Sequence, residues 1–408
     1  RSDRDWSSDV CSSDLNNLKI AVFVFLFTNI TVFAQREPKP REKKQYNIEQ
    51  ATSERAQLHT VAFSGLAFMT GNFGADTFFP PGKVADFFGF QYMRDNDKNE
   101  KGHNTDFLTS IANSVFSVLT PSQLDAFKQL AREQAPLYDD FARKRFQLIR
   151  SFRDYLEKSV QPDLKEIKKN GAELYAIDAE LSYGRAIVAG KIIQSFTAEQ
   201  KAALNKFRFN NSSTWLSGPE KLDKSDLSHR EHVCVMTYAS ELFSWYAGSA
   251  EADIYFCPER HGTCFGGFYM KDFPAMGNHG YNISTALTGD AGRDFIAVLT
   301  PEQAEFLYTA MKRQKPLLQQ IVELRTTVVT ELRKAITGGT PDKTIVFNAI
   351  KQYGELDAEM SYYEAQAFAG IYQTLTANQK QQLKVLRQQD KLPEGYYMFS
   401  DKIDFLPD

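Results

Sequence analysis

Cysteine is scarce in this 408-residue chain, at 4 residues. The four provide no second pair to complete a four-ligand zinc site and no C-x-x-C-H, which leaves covalent haem attachment unsupported. Charge of one sign is lacking too. Lys+Arg number 48 against 51 Asp+Glu, for a formal net charge of −3, whereas a nucleic-acid binder carries a strongly basic footprint. No segment beyond the N-terminal region is apolar for long enough to span a bilayer. Also absent are a nucleophile elbow, a Ser-His-Asp order, a phosphate loop, a dinucleotide fingerprint and H-E-x-x-H, so no catalytic residue is assigned and no enzyme class is indicated. Strand patterns are missing as well. What is abundant is apolar and aromatic: 42% hydrophobic residues, with 32 Phe and 18 Tyr, enough for a sizeable core.

The N-terminus divides into three pieces. Residues 1–15, RSDRDWSSDVCSSDL, have no periodicity and resemble a translated sequencing adapter. Residues 16–34 read as a signal peptide, with Lys19 as the basic region, Ile20 to Phe27 as the apolar region and Val32-Phe33-Ala34 as the cleavage site. Asn29 interrupts the apolar run, so a membrane anchor is the weaker reading. Residues 35–51 form a basic linker. The expectation is export to the periplasm or beyond, with no stable membrane insertion after cleavage. In an oxidising compartment Cys257 and Cys264, which bracket PERHGT, are close enough for a local disulfide. The alternative is a metal site built from Cys257, His261 and Cys264. Cys234 is left over.

The chain repeats itself. Gly71–Asp95 aligns with Gly248–Asp272 at a constant offset of 177, with 10 of the 25 positions identical. VLTPSQ at Val118–Gln123 returns as VLTPEQ at Val298–Gln303, an offset of 180 that also pairs Pro136 with Pro316, Arg145 with Arg325 and Arg153 with Arg333. DAELSY at Asp178–Tyr183 matches DAEMSY at Asp357–Tyr362. These matches predict two helical repeats, 52–209 and 228–388, a linker at 210–227 and a tail at 389–408. Each repeat opens with a helix and continues through an irregular segment rich in aromatics, Gly and Pro. Two long helices and a short closing helix follow. In the first long helix Leu130, Leu137, Phe141, Leu148, Phe152 and Leu156 recur at helical spacing. Pro136 and Pro316 are expected to kink their helices. The fold class expected is all-α, with two tandem pseudo-symmetric units.

Four copies of T-x-x-Q punctuate the repeats: Thr120/Gln123, Thr197/Gln200, Thr300/Gln303 and Thr376/Gln379. The spacing is that of a capping box, in which the Thr hydroxyl accepts from the third helical amide and the Gln side chain reaches back to the Thr amide. Pro121 and Pro301 fall at the first helical position, where no donor is missed. The motif thus marks helix starts and need do no chemistry. Leu119–Gln123 and Leu299–Gln303, each followed by long helices and a second x-T-x-x-Q, resemble the periplasmic LTxxQ family that includes Spy and CpxP. The resemblance implies a curved helical scaffold and an ATP-independent chaperone or stress-responsive regulator. Its partners would be unfolded or envelope proteins. Phe141, Phe146, Phe152, Ile321 and Leu332 are the residues expected to contribute to a client surface. The small members of that family have no counterpart of Gly71–Asn104 or Gly248–Asn282.

That additional segment is the second candidate. Asp76, Tyr92, Met93, Asp95 and His103 are mirrored by Asp253, Tyr269, Met270, Asp272 and His279. A His among carboxylates suits a transition metal, the one cofactor the sequence suggests, or a small ligand. The plainer reading has the Asp residues capping helices and Tyr and Met filling core. His229 and His232, with Cys234 nearby, form a further possible chelate that the first repeat lacks. Asp178, Glu180 and Tyr183, with Asp357, Glu359 and Tyr362, read as a hydrogen-bond network fixing helix register rather than as acid–base pairs.

Overall fold

The computed structural model describes residues 54–70, 112–207, 222–247, 273–275, 278–283 and 286–386. Among these residues the regular structure is helical apart from one short hairpin. The helices are α1 (Glu54–Thr70), α2 (Pro121–Lys158), α3 (Leu164–Gln194), α4 (Ala198–Leu204) and α5 (His229–Ala247), then α6 (Ala286–Val298), α7 (Pro301–Arg333), α8 (Lys343–Thr374) and α9 (Ala377–Leu386). The all-α expectation fits the described residues, with one short hairpin as a local exception. β1 (Phe273–Ala275) pairs antiparallel with β2 (Asn278–Ile283), Phe273 opposite Ile283, with an irregularity between Pro274 and Ala275. β1 is too short to alternate and its Pro274 suits only an edge, while in β2 the alternation is confined to Tyr281-Asn282-Ile283, too short a run to be read as a strand.

The two longest helices start where the motifs place them. Thr120 caps α2 and Thr300 caps α7, each with Pro at the first helical position and both capping-box hydrogen bonds formed. Both helices run unbroken through their internal prolines, Pro136 and Pro316. Asp163 and Asp342 cap α3 and α8 through side-chain bonds to the amides of Glu166 and Ile345. The turns before them differ. α2 ends on Ser159 in the left-handed region at φ 58°, held by the Gln373 amide, which donates to the Ser159 hydroxyl at 2.9 Å. After α7 comes a 3-10 turn (Lys334–Thr337) closed by Gly338 at φ 86°, a conformation that favours glycine. The offset between repeats changes from 180 to 179 across this turn.

α3 and α8 lie against each other in the middle, with α2 flanking α3 and α7 flanking α8. Their contact is close because of two glycines. A Cβ on Gly171 would lie 2.5 Å from the Gly354 carbonyl oxygen, and one on Gly354 would lie 2.6 Å from the Gly171 carbonyl oxygen. Tyr175 and Tyr353 pack edge to face beside them, ring centroids 4.7 Å apart. A single continuous core results, in which each fully buried Leu, Phe or Val contributes about 1.5–3 kcal/mol.

The opening helices cross over. α1, from the N-terminal half of the chain, packs chiefly on α6, α7 and α8 of the C-terminal half, while α5, just past the midpoint, packs on α2 and α3. Gln314 on α7 donates to Gln57 on α1 at 3.1 Å, and the α8 ring of Phe368 lies against Gly65 of α1. α1 and α5 are nevertheless each tied by an arginine to the long helix of their own half, α2 and α7. Arg153 donates to the Phe68 carbonyl at 2.9 Å and stacks over the Phe68 ring. Arg333 donates to the Trp245 carbonyl at 3.2 Å and faces the indole. The end of the expected linker is also structured: Leu222 is buried, and Asp226 pairs with Lys128 and Arg132 of α2.

Candidate functional site

All four T-x-x-Q boxes form, and they do more than start helices. The Gln200 amide donates to Gln123 Oε1 at 2.8 Å, and that oxygen also accepts the Thr120 amide at 2.9 Å. Gln200 further donates to the Val118 carbonyl at 2.7 Å, and Gln123 to the Ser195 hydroxyl at 2.8 Å. The second pair is built alike. Gln379 donates to Gln303 Oε1 at 2.7 Å and to the Val298 carbonyl at 2.9 Å, and Gln303 donates to the Thr374 carbonyl at 3.1 Å. All four glutamines are buried. Each pair therefore couples the start of a long helix to the start of a short one roughly seventy-seven residues away, one amide serving both a cap and a tertiary contact.

The Asp and Tyr residues of the DAE-x-SY motifs fall largely as a register network. Asp178 and Asp357 are wholly buried, with Tyr175 donating to Asp357 at 2.7 Å and Ser182 to Asp178 at 3.1 Å. Glu180 and Glu359 instead sit at the rim of the α3–α8 contact, paired with Lys343 and Lys168. Tyr183 donates to the Pro341 carbonyl at 3.2 Å, and the Tyr362 hydroxyl accepts from Gln161 at 2.7 Å. The duplicated segment Asp76, Tyr92, Met93, Asp95 and His103, with Asp253, Tyr269, Met270 and Asp272, lies outside the described residues, as does the Cys257/Cys264 pair. His279 falls in β2, where only its backbone is described. Among the described residues no group of three or more His, Cys, Asp or Glu is placed to hold a metal. Cys234 is a buried free thiol, pushed up to about 12 by burial, the opposite of what a thiolate ligand needs.

Behind Cys234 lies a buried polar cluster that the sequence did not suggest. Arg185 on α3 donates to both oxygens of Glu241 on α5, each at 3.0 Å, with both side chains shielded from solvent. Gln134 accepts from Tyr238 at 2.8 Å and donates to the Leu181 carbonyl at 3.0 Å, and the Tyr138 and Tyr238 hydroxyls lie 3.2 Å apart. Burial drives both tyrosines far above their usual range. The corresponding positions of the second repeat are chemically different. Glu364 stands 179 positions after Arg185, and Ser64 stands 177 before Glu241. Glu364 is buried and pushed up to about 8, first by desolvation and then by the nearby Asp357.

The surface expected to hold clients is not on the surface. Phe141, Phe152, Ile321 and Leu332 are wholly buried, and the side chain of Phe146 is outside the described set. The helical stripe they belong to is the core seam itself. Exposed aromatic surface lies elsewhere, in an open groove of about 460 Å³ between α7 and α8. Phe306, 41% exposed, forms its centre, with Tyr363 and Gln366 from α8, Arg313 from α7 and Tyr155 from the end of α2. Arg313 stacks 5.3 Å over the Tyr363 ring and donates to Gln366 at 3.2 Å. Tyr363 in turn donates to Glu359 at 2.8 Å. Burial, followed by that bond and the Glu359 charge, pushes its hydroxyl up to about 12, so Tyr363 stays neutral.

A second groove, of about 420 Å³, lies between α2 and α3, and its lining is related to the first by the repeat offsets. Ala126 stands where the other has Phe306, Glu133 where it has Arg313, and Lys191 where it has Gly370. The exchange is paired sterically, since a Cβ on Gly370 would lie 2.6 Å from the Phe306 ring. The large residue on α7 thus needs the small one on α8. That double substitution is readable in an alignment of the chain with itself, but only by attending to where the copies differ.

The sequence matches no protein-family model, no curated protein and no solved structure. Among the described residues no helix is long and apolar enough to cross a membrane.

Proposed function

We propose that this chain is an exported, chaperone-like protein of two pseudo-symmetric helical units that binds apolar segments of unfolded or envelope proteins. Two units are supported by features that recur at the repeat offsets: the coupled capping boxes, the arginine ties at Arg153 and Arg333, and the two grooves. One observation carries the binding role. Phe306 is held open to solvent over a groove with aromatic walls and polar hydrogen-bonding residues at its edge. A large exposed aromatic in a concave setting is the usual form of an anchor for a partner's apolar side chains.

The test is suppression of aggregation by the full chain, followed by light scattering of a reduced or heat-unfolded client. Near-stoichiometric chain should suppress scattering, and Phe306→Ala should require several-fold more protein for the same effect. Phe306 is partly exposed and Ala occupies the matching position of the other repeat, so this change leaves the fold intact, as circular dichroism would verify. Absence of suppression by the parent chain, or equal suppression by the variant, would defeat the reading.

A further inference from the structure

The α7–α8 groove carries charge of opposite sign at its two ends. Glu302 and Glu305 lie at the start of α7, on one side of Phe306, and Arg313 lies on the other. All three are exposed. Among the described residues Glu305 makes no ion pair and Arg313 has no carboxylate partner, its contacts being Gln366 and the Tyr363 ring. The Glu302 carboxylate is held ionised by its own backbone amide and the Thr300 hydroxyl. At 1.5 Å of rise per residue, Arg313 stands about 12 Å along the helix from Glu305 and about 16 Å from Glu302. An extended peptide advances about 3.3–3.6 Å per residue, so four or five residues bridge the charges. A groove of about 460 Å³ is also of the size that holds a small ligand or a short segment.

We infer that the groove selects extended client segments of four or five residues that read cation, apolar, anion, the cation seated on Glu302 and Glu305 and the anion on Arg313. The inference rests on the client-binding reading above and deepens it. Charge complementarity of this kind sets orientation and discriminates among partners more than it adds affinity. The α2–α3 groove does not share the pattern: Ser122 replaces Glu302, Glu133 replaces Arg313, and Ala126 removes the aromatic anchor. Selection is therefore a property of the second repeat alone.

Isothermal titration calorimetry on the full chain with three blocked peptides tests this. All are acetylated and amidated, with a central run of three leucines flanked by Lys and Glu, by two Lys, or by two Glu. The Lys/Glu peptide should bind three- to ten-fold more tightly than either like-charged one at low salt, with the advantage shrinking at 0.5 M salt. Arg313→Glu, the charge found in the other groove, should move the preference to the two-Lys peptide. Equal binding of all three peptides, with loss of binding in Phe306→Ala, would overturn the charge selection and leave the groove as the client site. Binding of none of them would overturn the client-binding reading and the selection with it.

Discussion

Glu364 offers the sharpest test of the second repeat's core. Its carboxyl is buried on α8 at the position where the first repeat places Arg185, and it is raised from its usual 4.5 to about 8. Between those two values the folded protein holds one proton more than the unfolded chain. Stability therefore falls as pH rises through the window, by about 1.4 kcal/mol per unit. From pH 5 to pH 8 the loss attributable to this group is about 3–4 kcal/mol. Glu364→Gln keeps the shape and stays neutral in both states, so that slope should vanish and the variant should be about 3 kcal/mol more stable than the parent at pH 7. Urea unfolding at pH 5, 6, 7 and 8 measures this directly: the two profiles should nearly meet at pH 5 and diverge steadily towards pH 8. Parallel profiles, or a variant that loses stability at pH 8, would show that Glu364 ionises in the folded protein and that the burial argument is wrong.

The coupled caps predict that Gln123→Ala and Gln200→Ala each cost about 2 kcal/mol, part from the lost cap and part from the partner amide left unsatisfied. Because one contact is shared, the double variant should cost about 1 kcal/mol less than the sum, and a double-mutant cycle with additive values would refute the coupling. Gly354→Ala should push α3 and α8 apart and lower stability by about 2–3 kcal/mol, read as a fall in the thermal midpoint. Arg185→Met leaves Glu241 buried without its cation and should cost about 3–5 kcal/mol, most of it recovered when Glu241→Gln is added. No recovery would mean that the pair acts through packing rather than charge.

Much of the local architecture was legible in the chain. Thr120, Thr197 and Thr300 each begin a helix because an oxygen at that position satisfies an amide the helix cannot, a local requirement that sequence spacing records. Ser228 and Glu231, at the same spacing before α5, form the same reciprocal pair of hydrogen bonds. What the glutamines do next was not legible, because the pairing of Gln123 with Gln200 depends on how α2 and α3 return towards each other. The period of the stripe through Phe141 and Phe152 marks a buried face, whereas the family resemblance assigns those same residues to a client surface. Periodicity says that a face is covered without saying by what. The crossing of α1 and α5 was hidden for a related reason. Val61, Ala62 and Leu66 on α1, like Val235, Ala239 and Leu242 on α5, announce burial, and either repeat could have supplied the cover. The groove is not legible in what the copies share, because Phe306 and Gly370 stand where the first copy has Ala126 and Lys191.

The crossed opening helices make the chain hard to divide. A single proteolytic cut between residues 208 and 221 would separate the covalent halves, yet each fragment would still carry a helix seated in the other's core. The fragments would hold together like hooked fingers, and parting them would require each to surrender part of its own interior. A nicked preparation should therefore elute as one species on a sizing column and come apart only under denaturing conditions.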